Sequence, residues 1–210
     1  QDDSEKLKNG VRKSMKLLVF MQFPLMFALI IIAKPLFELL FTSKWNEAVP
    51  YFQILCFSGM LLSMHTTNLN ILKAIGKSNT FLYLEIAKKI IGLLALIIGM
   101  QFGVMGMVIG IAASSYLSLF LNAFYSGGKI GYGVIGQMKD VLPAYILAFS
   151  LALALYLSLN LTIINNYLYV TIALVIYTTA YLGLAKMFKF EAFDILLSIF
   201  NDKIISRLRR

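Results

Sequence analysis

The stretch YLEIAKKIIGLLALIIGM, residues 83–100, has the apolar composition of a membrane-spanning helix but begins with three charged residues. The charges are Glu85, Lys88 and Lys89. A helix of twelve residues from Ile90 to Gln101 would be about 18 Å long, well short of the ~30 Å hydrocarbon core of a bilayer. The predicted span therefore reaches back to about Leu82, and the three charges lie within its length.

The composition of the whole chain extends this interpretation. Of its 210 residues, 60% are hydrophobic and 14% are charged, and the mean hydropathy is +0.80. Soluble domains hold about 45–50% apolar and about 25% charged residues. The sequence predicts an all-α polytopic membrane protein with about six transmembrane helices followed by an amphipathic interfacial helix. The predicted spans cover residues 17–33, 51–72, 82–101, 104–125, 141–159 and 167–185.

Three segments follow from these spans: a cytoplasmic entry segment (1–16), the six-span bundle (17–185) and a basic amphipathic tail (186–210). The chain opens on a polar segment without an initiator Met or a signal peptide, which we interpret as a fragment whose start is missing. The single cysteine, Cys56, permits no intrachain disulfide. No cofactor and no metal are predicted.

Basic residues are distributed unevenly between the loops. They precede the first span, follow the second and fourth spans, and crowd the tail, whereas the alternate loops hold only Lys34 and Lys44. By the positive-inside rule, both ends of the chain are cytoplasmic, and the charges of the third span enter from the cytoplasmic side. The net charge of +9 is thereby explained by membrane anchoring, and no nucleic-acid partner is predicted.

Charges inside a span require a specific environment. An ionised side chain at the centre of the lipid face costs roughly 2.5–3.5 kcal/mol on insertion scales. Glu85 can pair with Lys88 or Lys89 three or four residues away, and a lysine near a helix end can extend to the headgroups. The other interpretation is a polar translocation cavity that binds substrate. The residues alone leave both open.

The second span carries a polar stripe. His65 and Asn68 lie three residues apart, and Ser58 lies one heptad before His65. Such a stripe either makes hydrogen bonds between helices or lines a hydrophilic cavity that contacts substrate. His65 has no partner at metal-ligand spacing. Helix bending is predicted at four hinge residues, namely Pro24, Gly92, Gly103 and Gly106.

Three further motifs occur in the chain. The tail has one apolar helical face, which suits a helix on the inner membrane surface or one packed on the protein. The tripeptide GKS at 76–78 is not a phosphate-binding loop, because Ile71 occupies the position of the first glycine. The glycosylation sequon at 160–162 is common by chance. The apolar face of the tail comprises Phe193, Leu196, Leu197, Phe200, Ile204 and Leu208.

The order of several motifs is similar to that in a known family. The motifs are QDDSEKLK (1–8), FPLMFALIIIAKPLFELLFTSKW (23–45), NLNILKAIGKSN (68–79), LEIAKK (84–89) and FGVMGMVIG (102–110). The sequence resembles the C-terminal half of bacterial polysaccharide flippases, the Wzx-type exporters of the MOP superfamily. The resemblance fades after about Pro143. The sequence departs from the family pattern at Thr42–Ser43, where the family often has glycine. This difference affects only the expected tightness of the turn before Trp45.

The resemblance implies a larger transporter with two pseudo-symmetric lobes around a central cavity. Its cargo would be an undecaprenyl-pyrophosphate-linked glycan, moved from the inner to the outer leaflet of the bacterial inner membrane by alternating access. The implied partners are this lipid-linked glycan, membrane lipids and a missing N-terminal lobe of the same chain. An anionic head group that enters from the cytoplasm needs cations near that leaflet, so we expect Lys88 or Lys89 to contact the pyrophosphate and His65 and Asn68 to bind sugars.

Two other functions compete with this one. A cation-coupled multidrug exporter of the same superfamily commonly needs an acid in its cavity, and Glu85 is the only acid within a predicted span. The adjoining lysines favour an anionic cargo. A membrane-embedded glycosyltransferase or polymerase generally needs carboxylates or a metal on sizeable loops. The short outward loops offer only Glu38 and Glu47, so an enzyme is not predicted.

Overall fold

The computed structural model describes residues 2–161 and 167–208, and within these ranges the chain is helical and contains no strand. The helices are α1 (Asp2–Phe41), α2 (Val49–Gly59), α3 (Leu62–Ala74), α4 (Ser78–Met100), α5 (Gly103–Tyr125), α6 (Val134–Leu161), α7 (Tyr167–Met187) and α8 (Glu191–Leu208). Short 3-10 helices cover Ser43–Ala48 and Gly127–Ile130.

Five stretches of the described chain are long and apolar enough to cross a membrane. They are Ser4–Phe41, Ser43–Ala74, Gly103–Ile130, Val134–Ser158 and Val170–Met187. The remaining predicted span is α4, whose 23 residues give a length of about 34 Å. It has the length of a span but is less apolar, since it contains Glu85, Lys88 and Lys89. The predicted all-α polytopic architecture is confirmed.

Two of the predicted spans differ most from the helices of the structure. The polar residues before the first predicted span are the opening turns of one 40-residue helix, α1, which continues through Pro24 and Pro35. Nothing in their sequence interrupts the helical hydrogen bonds. The second predicted span is divided into α2 and α3 by a break at Met60 and Leu61.

Backbone polar groups at the break between α2 and α3 make hydrogen bonds with a side chain from α1. Gln22 Nε2 donates to the carbonyl oxygen of Gly59 at 2.6 Å. Gln22 Oε1 accepts from the backbone N–H of Ser63 at 3.2 Å and from the Ser63 hydroxyl. Backbone polar groups that lose their helical partners in an apolar layer cost several kcal/mol if left alone. One glutamine thus stabilises the interruption.

The core lies where α1 packs against α6, α7 and α8. Phe20, Phe23 and Phe27 are buried on one face of α1. The rings of Phe23 and Phe27 each lie 5.5 Å from that of Tyr145. The buried Tyr181 hydroxyl donates to the carbonyl oxygen of Phe20 at 2.9 Å. Large rings with satisfied polar ends therefore fill the centre.

Helices α4 and α5 form a hairpin at the side of this core. A Cβ placed on Gly99 would lie 2.6 Å from the carbonyl oxygen of Gly106, and one on Gly110 would lie 2.6 Å from that of Ala95. The two backbones are therefore in direct contact, which only small residues allow. Gly103, the first residue of α5 after the turn, has a φ of +72°, a conformation that favours glycine.

Charged residues join the starts of α1, α6 and α8. Arg12 makes two hydrogen bonds to Asp140, at 2.5 and 2.7 Å. Lys16 lies 3.2 Å from Asp140 and 2.7 Å from Glu191. Three segments predicted to share one side of the membrane are thus in contact.

The tail helix begins as a packed helix. Ala192 is buried and Phe193 packs against the core, whereas Leu197 and Phe200 are exposed. Of the two predicted arrangements, packing on the protein holds for the first turn, while the next turns present apolar side chains to the surroundings. The side chains of Ile204, Leu208 and Asn160 lie outside the described part of the chain, as does Thr162 of the sequon.

Candidate functional site

Glu85 and Lys88 form a hydrogen-bonded ion pair one turn apart on α4. The Lys88 side chain is 15% exposed and that of Glu85 is 31% exposed, whereas Lys89 is exposed. Pairing lowers the cost of carrying these charges within a span. Of the two predicted pairings of Glu85, the structure shows the one with Lys88.

The ion pair lies on the side of α4 that faces the bundle. Both Glu85 and Lys88 are close enough to interact electrostatically with His65 of α3. The opposite face of α4 presents large apolar side chains to the surroundings. Lys89 lies beside that face. The two lysines, for which the same role was predicted, therefore have different environments. The outward apolar residues include Leu82, Ile86, Ile90 and Leu93.

His65 is half-buried and uses both ring nitrogens. Nε2 lies 3.2 Å from Ser115 Oγ, and Nδ1 lies 3.0 Å from Asn122 Nδ2. Both partners belong to α5. The ring therefore joins α3 to α5 next to the charged pair on α4.

Asn68 is fully buried in the same interior, one helical turn from His65. It exchanges two hydrogen bonds with Gln137 of α6, at 2.8 and 2.7 Å. Asn68 Oδ1 also accepts from Ser126 Oγ at 3.1 Å. Gln137 Nε2 donates in addition to the carbonyl oxygen of Tyr132 at 3.1 Å. The Asn68 amide makes helix-to-helix hydrogen bonds, and its binding of a sugar stays a prediction.

These contacts form one polar network, which we define by His65, Asn68, Ser115, Asn122, Ser126 and Gln137. Asn122, Ser126 and Gln137 are 1% exposed or less. Of these six residues, only His65 and Asn68 were predicted from the sequence. A signal for the α5 members was present, because Ser115, Ser118, Asn122 and Ser126 recur at steps of three and four residues. That spacing indicates one polar helix face.

The four predicted hinge residues occupy different kinds of position. Pro24 is half-buried within a continuous α1. A Cβ on Gly92 would meet only Ser114 Oγ, at 4.0 Å, whereas Gly106 lies at the tightest α4–α5 contact and Gly103 is the first residue of α5. Bending at these residues stays a prediction. Among the described residues, no cluster of three His, Cys, Asp or Glu side chains could hold a metal ion.

Comparison with known proteins gives a family match and two relatives. Residues 1–50 match a family model described as a polysaccharide biosynthesis protein. The chain is 28% identical over 170 residues to the lipopolysaccharide biosynthesis protein WzxC of Escherichia coli K12, covering 79% of this chain and 32% of WzxC. It is 29% identical over 126 residues to an uncharacterized membrane protein in the cps region of Klebsiella pneumoniae, covering 60% of this chain and 26% of that protein.

The matched segments span about a third or less of these curated relatives, namely 32% and 26% of their lengths. No solved structure matches the chain. The resemblance carried by the motifs between residues 1 and 110 is confirmed by these matches.

Proposed function

We propose that this multi-pass membrane chain, a relative of the Wzx-type polysaccharide flippases, forms part of a transporter of lipid-linked oligosaccharides. The cargo would be an undecaprenyl-pyrophosphate glycan, carried from the inner to the outer leaflet of the bacterial inner membrane by alternating access. The observation that supports the proposal most is the Glu85–Lys88 pair, which faces a polar interior within an otherwise apolar bundle.

The pair gives the proposal a chemical mechanism for accepting an anion. Glu85 holds the Lys88 ammonium in the span at reduced cost while no cargo is bound. A pyrophosphate brings more negative charge than one carboxylate and can displace Glu85 from Lys88. In this proposal Lys88 contacts the head group, and the exposed Lys89 adds positive potential along the approach. The predicted partners are the lipid-linked glycan, membrane lipids and an N-terminal lobe.

The polar network has a supporting role in the proposal. Asn68 and Gln137 satisfy each other in the interior, so they hold α3 against α6. Sugar hydroxyls would approach from the half-buried edge of the network, at His65 and Ser115. Because Lys88 neutralises Glu85, the acid that a cation exporter would use is already occupied, which favours the glycan over a cationic drug. The proposal describes a transporter and not an enzyme.

The orientation is part of the same proposal. The ion pairs among Arg12, Lys16, Asp140 and Glu191 gather the starts of α1, α6 and α8 at one end of the bundle. We assign that end to the cytoplasm, as the distribution of basic residues favours.

The test is charge removal in the full-length protein. We expect Lys88→Gln combined with Lys89→Gln to abolish surface glycan and to cause lipid-linked glycan to accumulate in the inner leaflet, measured at matched membrane levels of the protein. Lys77→Gln, in the turn before α4, is the matched control. Unchanged export in the double variant would exclude this role for the lysines.

A further inference from the structure

We propose that His65 is a reversible proton-binding site whose charge state selects the orientation of the Asn122 amide and so sets the contact between α3 and α5. Its ligand is a proton exchanged with water, and the only covalent change is the N–H bond formed at Nδ1. The site stands on geometry that is independent of any cargo.

The geometry specifies the neutral form of His65. Asn122 Nδ2 is a donor only, so Nδ1 at 3.0 Å must accept and carries no proton. The ring proton is then on Nε2 and is donated to Ser115 Oγ at 3.2 Å. Protonation of Nδ1 would place two N–H groups against each other and break the contact between His65 and Asn122.

Asn122 can restore the contact by rotating its amide. Asn122 Oδ1 is buried and has no hydrogen-bond partner. A half-turn about the Cβ–Cγ bond exchanges Oδ1 and Nδ2, which places Oδ1 where it accepts from the protonated Nδ1. One end of the amide is unpartnered in either orientation, so the two states cost about the same. Whether Nδ1 of His65 is bare or protonated therefore decides between the two amide orientations.

The charged surroundings of His65 come from one helix. On α4, Lys88 opposes the imidazolium and Glu85 stabilises it. α5 (Gly103–Tyr125) contains no Asp, Glu, Lys or Arg, and its titratable groups are the phenols Tyr116 and Tyr125. On α1, the side chain nearest the start of α3 is the uncharged Gln22, bonded to Gly59 and Ser63.

The remaining titratable groups lie on the neighbouring helices. Cys56 is on α2, preceding the break. On α6, the network partner is the neutral Gln137, and the first charges beyond it are Lys139 and Asp140, the latter paired with Arg12 and Lys16.

Asn122 also contacts the rest of the network through its backbone. Its main-chain carbonyl oxygen accepts from the Ser126 hydroxyl, which also donates to Asn68 Oδ1. Asn68 in turn exchanges hydrogen bonds with Gln137 of α6. Asn122 therefore joins His65 to this network, through its side-chain amide on one side and its main-chain carbonyl on the other. The coupling of this proton to glycan movement rests on the proposed function.

The first test is nitrogen NMR of the full-length protein in lipid nanodiscs, with histidine and asparagine labelled by 15N. His65 is the only histidine of the 210 residues, and His65→Gln identifies its signals against any others. Between roughly pH 8 and pH 5, where histidine ordinarily titrates, we expect protonated Nε2 and bare Nδ1 to give way to a doubly protonated ring. The Asn122 amide signal should change with the same midpoint.

Asn122→Leu and Asn122→Asp sharpen this test. The leucine removes the amide donor to Nδ1, so the neutral ring should lose its preference for a proton on Nε2. The aspartate accepts at Nδ1 and should shift the midpoint to higher pH than the wild type. A neutral ring with its proton on Nδ1, an Asn122 signal that ignores the titration, or a ring that stays neutral down to pH 5 would each overturn the proton site.

The second test separates the site from transport. In proteoliposomes with a fluorescent lipid-linked glycan, we expect the translocation rate of the wild type to change across the same pH range and that of His65→Gln to stay constant. If NMR shows the titration but both proteins respond equally to pH, the coupling is overturned while the site stands. If neither protein translocates, the proposed function fails, and the NMR result still decides the site.

Discussion

The α1–α6 pair and the α4–α5 hairpin each hold two helices together, but with side chains of opposite size. α1 meets α6 through aromatic rings, including Phe23 and Phe27 against Tyr145. α4 meets α5 through backbone contacts at Gly99 and Gly106. In a membrane the hydrophobic effect does not favour helix association, so both pairs depend on dispersion contacts. The comparison shows that dispersion contacts between helices can come from large interlocking side chains or from the close approach of two backbones.

The largest expected effect falls on the aromatic pair. Phe23→Ala removes a fully buried ring next to Tyr145, and we expect it to lower the free energy of unfolding by about 3–5 kcal/mol. The matched control is Leu25→Ala, on the exposed face of the same helix. Unfolding of the purified protein in mixed micelles measures both. Equal losses in the free energy of unfolding would show that the Phe23 ring does not stabilise the contact between α1 and α6.

The glycine pair should respond to the opposite change. A Cβ on Gly106 would lie 2.5 Å from the carbonyl oxygen of Gly99. Gly106→Ala must therefore separate the hairpin, at a cost of about 1–3 kcal/mol. Gly183→Ala, where a Cβ meets nothing within 4 Å, is the control. If both alanine substitutions change the free energy of unfolding in micelles by the same amount, close backbone contact does not hold the hairpin together.

The polar network adds a third kind of contact, which a double-mutant cycle can measure. Asn68→Leu leaves the buried Gln137 without its main partner, and we expect a loss of about 1–3 kcal/mol. Because Gln137→Leu breaks the same pair, the double variant should lose less than the sum of the two single losses. Strict additivity in unfolding experiments would show that the two amides do not interact.

The smallest effect lies at the charged end of the bundle. The hydrogen bond from Lys16 lowers the pKa of the Glu191 carboxyl below its ordinary value of 4.5, and slight burial works against it only in part. Since the folded state holds the lower pKa, the stabilisation is complete above the unfolded value and is lost as pH falls through the folded value. The Glu191 side chain is half exposed, so the change is small.

A comparison of melting temperatures at neutral pH and at about pH 3.5 tests this ion pair, since the Glu side chain titrates across that range. On acidification, the melting temperature of the Glu191→Gln variant should fall by less than that of the wild type. Parallel losses in the two proteins would mean that Glu191 does not contribute.

The candidate site was predictable only in part. Glu85 and Lys88 could be paired from their spacing, because residues three apart share one helix face. The different surroundings of Lys88 and Lys89 were not predictable, since they depend on where α3 and α5 lie beside α4. The break in the second span was also missed. Gly59, the last residue of α2, is a weak local signal for it, and its stabilising side chain, Gln22, is 37 residues from Gly59 along the chain.

The sequence by itself determined the class of the protein, the approximate spans and the presence of charges within one of them. Those properties depend on local composition and on the fixed length of a helix per residue. Only the tertiary structure decided which polar groups meet, because His65 and Ser115 are 50 positions apart and Asn68 and Gln137 are 69 apart. Hydropathy records that a side chain is polar, but a hydrogen bond needs its partner within about 3 Å, and only the packed helices supply it.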